Sequence, residues 1–245
     1  MTYCVGMRLD QGLVFMSDTR TNAGIDNISI FQKLHTWSIP GERVVTVMTS
    51  GNLATTQAVI SMLDERMKAP VERSPSLLEA PSMFQVARMI GETVRDVIAE
   101  YKGAAQQSEG VFDATIIVGG QIKGSAPRLF LVYPEGNFVE AGDDTPFFQI
   151  GETKYGRPII VRAYRSDMSF EEATRLLLVS FDSTIKANLS VGPPLDLQVY
   201  AKDSYEVGFT RRFEAEDDLI REVSSRWGEA LGRALESLPM PEFDL

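Results

Sequence analysis

The sequence predicts an α+β fold in which antiparallel sheets are covered by layers of helices. Segments with strand-type alternation come in groups, and helical segments also come in groups between them, which disfavours a doubly wound parallel sheet. The 245 residues are 44% hydrophobic and 24% charged, which is enough apolar material for a sizeable core. No evident linker divides the chain, so we expect a single domain spanning residues 1–245.

Strand-type patterns dominate the first third of the chain. Tyr3, Val5, Met7 and Leu9 alternate with smaller or polar residues, the period-two pattern of a half-buried strand. Turn residues at 10–12 followed by a second apolar run predict a hairpin. Further strands are expected at 28–31, 33–39, 43–48, 113–120, 128–133, 138–140 and 195–200.

Helices are predicted where apolar residues recur three and four positions apart. Ser82 with Gln85, and Ser169 with Glu172, have the spacing of capping boxes. Acidic residues open the last predicted helix, at about 214–238, which suits the positive end of a helix dipole. Its apolar stripe, expected to be buried, consists of Leu219, Ile220, Val223, Trp227, Leu231, Ala234 and Leu238.

Charge and residue counts exclude several functions. The chain has 24 basic and 34 acidic residues, a net charge of −10, so neither a nucleic acid nor a membrane surface is expected as a partner. The single histidine, His35, excludes a His-rich metal site, and the single cysteine, Cys4, excludes an intrachain disulfide. We therefore predict no metal and no cofactor. Low cysteine content, no apolar run of roughly 20 residues and no secretory signal pattern favour a cytoplasmic location.

The common catalytic motifs are missing from the sequence. There is no G-x-S-x-G, no G-x-x-x-x-G-K-[ST] and no G-x-G-x-x-G. A Ser-His-Asp triad would have to use His35, which lies in an apolar, strand-like segment and is expected to be a packed or surface histidine.

The start of the chain offers an unusual nucleophile. Thr2 follows Met1, and methionine aminopeptidases remove methionine before small residues such as threonine. A free Thr2 would carry both a hydroxyl nucleophile and a base, because an α-amino group has a pKa of about 7.7–8.0. With Met1 retained, the same nitrogen is an amide and cannot act as a base. Many proteins begin Met-Thr by chance, so this dipeptide does not indicate catalysis by itself.

Two charged residues strengthen the interpretation. In a hairpin that turns near Asp10, Thr2 and Asp18 fall at comparable distances from the turn, so we expect them to lie close together. Lys33 lies in the next extended segment. If its ammonium is buried beside Thr2, it would stabilise the Thr2 alkoxide, and Asp18 would keep the lysine charged and oriented. Each residue alone is more often a turn aspartate or a solvated lysine, and only the combination predicts a catalytic set.

Six segments, taken in order, form a recognisable pattern: Thr2-Tyr3-Cys4-Val5-Gly6, Ser17-Asp18-Thr19-Arg20, Lys33-Leu34, Ser50-Gly51-Asn52, 168–173 and 192–197. Together they resemble the proteasome β-type subunits and the bacterial HslV subunit. Within that superfamily, residues 1–10, residues 17–24 and the long acidic C-terminal helix resemble most the Anbu branch, the bacterial ancestral β-subunits.

The resemblance implies a fold, an assembly and an activity. The implied fold is a four-layer αββα sandwich of two antiparallel sheets covered by helices, the fold of the N-terminal-nucleophile hydrolases. The implied assembly is a homo-oligomer, either a ring or an open spiral, with no indication of an unfoldase partner. The implied activity is threonine-type hydrolysis of a peptide or protein substrate, with Thr2 as nucleophile and base, Lys33 as its electrostatic partner and Asp18 orienting that lysine.

Supporting positions depart from the family pattern. Alignment on Gly51 places Met48 where the proteasome β pattern has a glycine whose N–H contributes to the oxyanion hole. Glu152 aligns with a supporting serine, Asn188 with a supporting acid, and Ser190 falls one residue from a second supporting serine. The resemblance implies supporting roles for these five positions.

Two other functions fit the same resemblance. The chain would be a non-catalytic assembly subunit if, as in proteasome α subunits, residue 2 took no part in chemistry. Alternatively, it would hydrolyse amides in small peptides or conjugates in place of proteins. The sequence does not separate this from proteolysis, because the substrate pocket depends on neighbouring subunits.

Overall fold

The computed structural model of the chain describes residues 2–22, 28–68, 75–104 and 111–243. Met1 and the last two residues of the 17–24 segment lie outside them. Within the described residues, no helix is long and apolar enough to cross a membrane.

Strands and helices follow one another in groups, as the sequence predicts. The strands are β1 (Tyr3–Leu9), β2 (Gly12–Asp18), β3 (Arg20–Asn22), β4 (Ile28–Ile30), β5 (Leu34–Ile39), β6 (Arg43–Gly51), β7 (Ala114–Ile122), β8 (Arg128–Val132), β9 (Phe138–Glu140), β10 (Phe147–Gly151), β11 (Leu195–Ala201) and β12 (Phe209–Phe213). The helices are α1 (Leu53–Lys68), α2 (Met83–Ala104), α3 (Arg157–Ala163), α4 (Phe170–Ala187) and α5 (Asp218–Glu236).

Two antiparallel sheets form the centre of the molecule. The first has the strand order β10-β1-β2-β11-β12, and the second has the order β5-β6-β7-β8-β9. Strands β3 and β4 pair with each other in a small separate ribbon. Helices α1 and α2 contribute to the core on the outer face of the second sheet, and α3 and α4 to that of the first sheet. The αββα sandwich implied by the resemblance is therefore confirmed.

The inter-sheet layer explains one wrong expectation. Strand β1 is buried on both faces, whereas its alternation predicts burial on one face only. The reason is its place in the sandwich, since odd-numbered side chains face the helices and even-numbered ones face the other sheet. Gly6 and Gly119 leave room between the sheets. A Cβ at Gly119 would lie 2.6 Å from the ring of Phe15, and one at Gly6 would lie 2.8 Å from Ile117.

The predicted caps are present at the starts of α2 and α4. Ser169 accepts a hydrogen bond from the N–H of Glu172 at 3.1 Å, and the Glu172 carboxylate accepts one from the N–H of Ser169 at 2.9 Å. This is a complete capping box. Ser82 accepts from the N–H of Gln85 at 3.3 Å, which caps the first turn of α2.

The last helix differs from its prediction in two ways. It begins at Asp218, because Asp217 is the N-cap and accepts from the N–H of Leu219 at 2.9 Å, and it ends at Glu236. The apolar stripe that was expected to be buried is not, since α5 has no buried residue. Ile220 and Val223 pack against the core beneath α4, but from residue 231 onward every described residue is exposed. The physical reason is that the second half of α5 has no packing partner among the residues that the structure describes.

Candidate active site

Thr2 lies at the start of β1 and opens into a cavity of about 790 Å³. Strand β10 holds it there, because Tyr3 pairs with Gly151 and the N–H of Glu152 donates to the Thr2 carbonyl at 2.6 Å. Gly151 has a φ of +81°, and a side chain at this position would collide with the Thr2 carbonyl oxygen. Glycine is therefore required where β10 passes the candidate nucleophile.

Asp18 ends β2 beside the first residues of β1, as the hairpin argument predicts. The register that pairs Cys4 with Ser17 places Asp18 next to Tyr3, whose N–H donates to Asp18 Oδ1 at 2.9 Å. The N–H of Gly192 donates to Oδ2 at 3.4 Å. The carboxylate is fully buried, and the two backbone N–H groups hold one oxygen each.

Lys33 immediately precedes β5 and forms a buried ion pair with Asp18. Its Nζ donates to Asp18 Oδ1 at 2.6 Å and to the carbonyl oxygen of Arg20 at 2.6 Å. Burial raises the pKa of the Asp18 carboxyl above its usual range, and the Lys33 ammonium opposes this rise. Lys33 and Thr2 line the same cavity. The structure therefore brings the three predicted catalytic residues together.

The cavity walls carry uncharged groups. None of the described residues that line it is acidic, and its one lysine is neutralised by Asp18. Burial lowers the pKa of His35, which favours the neutral imidazole. Lys33 lines the cavity just before β5, and the other lining side chains from β5 and from the helical wall of α1 are His35, Leu53, Thr56, Gln57, Ile60 and Ser61.

Three of the supporting candidates form a chain of hydrogen bonds beside Thr2. Glu152 accepts from the N–H of Lys154 at 2.7 Å through Oε1 and from Asn188 Nδ2 at 3.2 Å through Oε2. Asn188 Oδ1 in turn accepts from the N–H of Ser190 at 3.0 Å. Ser190 thus contributes a backbone group to this chain.

The other two supporting candidates differ in their relation to the cavity. Gly51 lines the cavity and has a φ of +122°, and a Cβ there would lie 2.5 Å from the carbonyl oxygen of Asp113. Met48 does not line the cavity. It lies within β6, paired with Leu34 and Ile117 on its two sides, and its side chain is fully buried between the sheets.

Arg20 is a site residue whose contacts the sequence does not reveal. Its carbonyl oxygen accepts a hydrogen bond from the Lys33 ammonium, and its Nη1 donates one to the carbonyl of Leu189 at 2.9 Å. Its guanidinium lies against Gly192, where any Cβ would collide with it. Arg20 therefore links Lys33 to the 188–192 loop. Its position directly after Asp18 and Thr19 is the only sequence signal of this role.

Tyr3 is a second such residue, because its alternation indicates only an apolar core position. Its hydroxyl is hydrogen-bonded to Ser180 Oγ at 2.7 Å and accepts from Gln149 Nε2 at 2.7 Å. Burial raises the pKa of Tyr3 to about 12, so the phenol stays neutral. This anchor holds the residue after Thr2 to β10 and α4. Elsewhere in the described chain, no group of three or more His, Cys, Asp or Glu could hold a metal ion.

The αββα sandwich, with a threonine entering its first strand beside a buried lysine–aspartate pair, is the architecture of the N-terminal-nucleophile class. The family model described as proteasome subunit matches residues 2–199, and the chain belongs to this family. Among curated proteins it is similar to the proteasome subunit beta of Haloquadratum walsbyi, 22% identical over 87% of this chain and 79% of that protein.

Solved structures place the resemblance within the Anbu branch. Anbu (ancestral beta-subunit) from Yersinia bercovieri is 45% identical, with 99% of this chain and 100% of that chain covered and a TM-score of 0.91. Anbu from Hyphomicrobium sp. strain MC1 is 48% identical over all of both chains, with a TM-score of 0.90. The helical assembly of the Anbu complex from Pseudomonas aeruginosa is 46% identical over 98% of both chains, with a TM-score of 0.93.

Proposed function

We propose that this protein is a threonine-type hydrolase of peptide amide bonds whose nucleophile is Thr2 after removal of Met1. The observation that carries the proposal is that Thr2 and Lys33 line one cavity, and that Lys33 is ion-paired with the buried Asp18 at the end of β2, the strand next to β1. A hydroxyl beside a buried cation is easier to deprotonate, and the freed amine supplies a base on the same residue.

The expected reaction has two stages. Thr2 Oγ1 attacks the substrate carbonyl carbon while its proton passes to the Thr2 amine, directly or through a water. Lys33 stabilises the developing alkoxide electrostatically. The scissile C–N bond then breaks, the leaving amine takes the proton, and an ester to Thr2 remains. A water attacks this ester, which releases the acid and restores the hydroxyl.

Asp18 acts through Lys33 in this scheme. Its Oδ1 is shared between the Lys33 ammonium and the N–H of Tyr3, and its Oδ2 accepts from Gly192. The carboxylate therefore keeps the lysine charged and ties it to the strand that carries Thr2.

The protein is also proposed to act as a homo-oligomer, as a ring or an open spiral. Two observations support this: a relative 46% identical is described as a helical assembly, and the apolar stripe of α5 is exposed in a single chain. The substrate would be a peptide or protein chain that enters the assembly. A cytoplasmic location and the lack of nucleic-acid and membrane partners stay predictions.

Mass spectrometry with electrophile labelling tests the enzymatic proposal. Protein from its native host should have lost Met1, and an epoxyketone or β-lactone should add to Thr2 in the wild type and not in Thr2→Ala. Cys4 should not compete for the reagent, because it is fully buried and burial raises the pKa of its thiol. Complete retention of Met1 in the host would overturn the proposal.

A non-catalytic assembly subunit is the second candidate, and the exposed stripe of α5 favours it equally. This alternative predicts that Thr2→Ala assembles as the wild type does and that no residue is labelled. Hydrolysis of small amides in place of proteins would show as labelling of Thr2 together with turnover of short substrates and none of an unfolded protein.

A further inference from the structure

Glu152 is a buried carboxylate to which the described residues offer no cationic partner. It is 7% exposed, and both of its oxygens accept hydrogen bonds, from the N–H of Lys154 and from Asn188 Nδ2. Among the described residues, no lysine, arginine or histidine nitrogen lies within 4.0 Å of it. Burying a carboxylate without a counter-charge is costly, so a cation is expected to complete this site.

The backbone places Glu152 directly opposite Thr2. The β1–β10 register pairs Tyr3 with Gly151, and the next pair, Thr2 with Glu152, is joined by the hydrogen bond from the Glu152 N–H to the Thr2 carbonyl at 2.6 Å. Within one residue the backbone nitrogen and carbonyl oxygen are about 3 Å apart, so the Thr2 nitrogen lies a few ångströms from the backbone of Glu152, a span that a glutamate side chain covers. The Thr2 nitrogen therefore falls within reach of the Glu152 side chain.

Other charges around Thr2 do not fill this role. The Lys33 ammonium is already paired with Asp18, the guanidinium of Arg20 is directed to the Leu189 carbonyl, and the side chain of Lys154 is exposed. The Tyr3 hydroxyl is hydrogen-bonded to Ser180 Oγ, and the phenol stays neutral. Glu152 is the one uncompensated charge that the described residues place across the strand from Thr2.

We propose that Glu152 is the counter-ion of the Thr2 α-ammonium in the mature protein, and so a positioning residue that sets how much of that amine is available as a base. Removal of Met1 would create the cation that Glu152 lacks. This inference rests on the proposed function for its catalytic meaning, although the ion pair itself requires only a free Thr2.

The consequence is a shifted pH dependence. A nearby negative charge favours the ammonium form, so the pKa of the Thr2 amine should lie above the usual 7.7–8.0. The fraction of free base at neutral pH is then smaller, and the acid limb of kcat/KM should lie above pH 8. A mainly structural role for Glu152 would lower the activity without moving this limb.

Titration of the amine itself tests the ion pair independently of catalysis. The chain beginning at Thr2, released from a cleavable N-terminal fusion, would be treated with acetic anhydride across a pH series, and acetylation of Thr2 read by mass spectrometry. Glu152→Gln should lower the midpoint by at least about one pH unit, a tenfold change in proton affinity. Glu135→Gln, at an exposed turn between β8 and β9, is the matched control and should leave the midpoint unchanged.

Each outcome decides a separate question. An equal midpoint in wild type and Glu152→Gln overturns the proposal, and Glu152→Ser, which supplies the residue of the family pattern, repeats the test if the glutamine variant does not fold. A shifted midpoint in a protein that hydrolyses no peptide supports the ion pair and refutes the proposed function. When the enzyme is active, the acid limb of kcat/KM should move by the same amount as the acetylation midpoint.

Discussion

At the scale of residues, the buried Lys33–Asp18 ion pair leads to predictions on both stability and the proposed activity. The two side chains are 6% and 0% exposed and meet at 2.6 Å. Lys33→Met removes the cation and leaves a buried carboxylate, which for such pairs costs about 3–5 kcal/mol. We expect this loss in denaturant unfolding, together with loss of electrophile labelling at Thr2.

A double variant separates the two effects. Lys33→Met with Asp18→Asn removes both charges and keeps an oxygen that can accept from the Tyr3 N–H, so it should recover most of the unfolding free energy and remain unlabelled, since no cation assists the Thr2 hydroxyl. Labelling of Lys33→Met at the wild-type rate would refute the role assigned to Lys33.

The sequence predicts part of this site for identifiable reasons. The position of the hairpin turn alone predicts that Thr2 and Asp18 lie close together. Lys33 is predicted because it is a lysine in the next extended segment. The carbonyl of Arg20 that accepts the Lys33 ammonium carries no sequence signal, because every residue has a carbonyl. Met48 stays a prediction, because the alignment concerns its backbone N–H, whereas the structure shows its side chain buried between the two sheets.

At the scale of elements, period and capping residues predict the long segments well. Four elements of seven residues or fewer, β3, β10, β12 and α3, were not predicted. Helix α3 is seven residues long and has no side-chain cap, and β12 is an edge strand with four exposed residues. Edge strands and short helices depend on neighbours more than on their own pattern.

The wall shared by β5 and α1 leads to a prediction on specificity. Because the cavity lining is uncharged apart from the neutralised Lys33, uncharged substrate side chains should be preferred over charged ones near neutral pH. Gln57 is exposed on α1 at this wall, so Gln57→Glu adds a negative charge without disturbing the core. Turnover of peptides with lysine or arginine at the cleaved position should rise about two- to fivefold relative to neutral ones.

A fluorogenic peptide set measures this preference, with Gln57→Asn as the matched control of unchanged charge. Lowering the pH below the pKa of His35 should have the opposite effect and favour acidic side chains, since the imidazole gains a proton there and burial lowers that pKa. A substrate profile that Gln57→Glu leaves unaltered would exclude this wall from substrate contact.

At the scale of the whole molecule, the described residues of one chain bury the core between the layers but leave most of the last helix exposed. The αββα layers form three buried apolar clusters, whereas α5 packs against them through its first turns only. Of the apolar stripe, Leu231 is 49% exposed and Leu238, just after α5, is 60% exposed, whereas the polar face of α5 carries ion pairs such as Arg226 with Glu222. An exposed apolar stripe of this kind is typical of a surface that a partner covers.

We expect a second copy of the chain to cover the stripe of α5, because a relative of 46% identity is described as a helical assembly. Leu231→Glu places a charge within that contact, and loss of a buried leucine alone is worth about 1.5–3 kcal/mol. Association should therefore weaken at least about tenfold, seen as a shift toward monomer in sedimentation velocity, with circular dichroism unchanged. Ser225→Glu, on the exposed polar face, should assemble normally. If Leu231→Glu assembles like the wild type, subunits must meet through another surface, and the stripe would then have to be covered by something other than this chain.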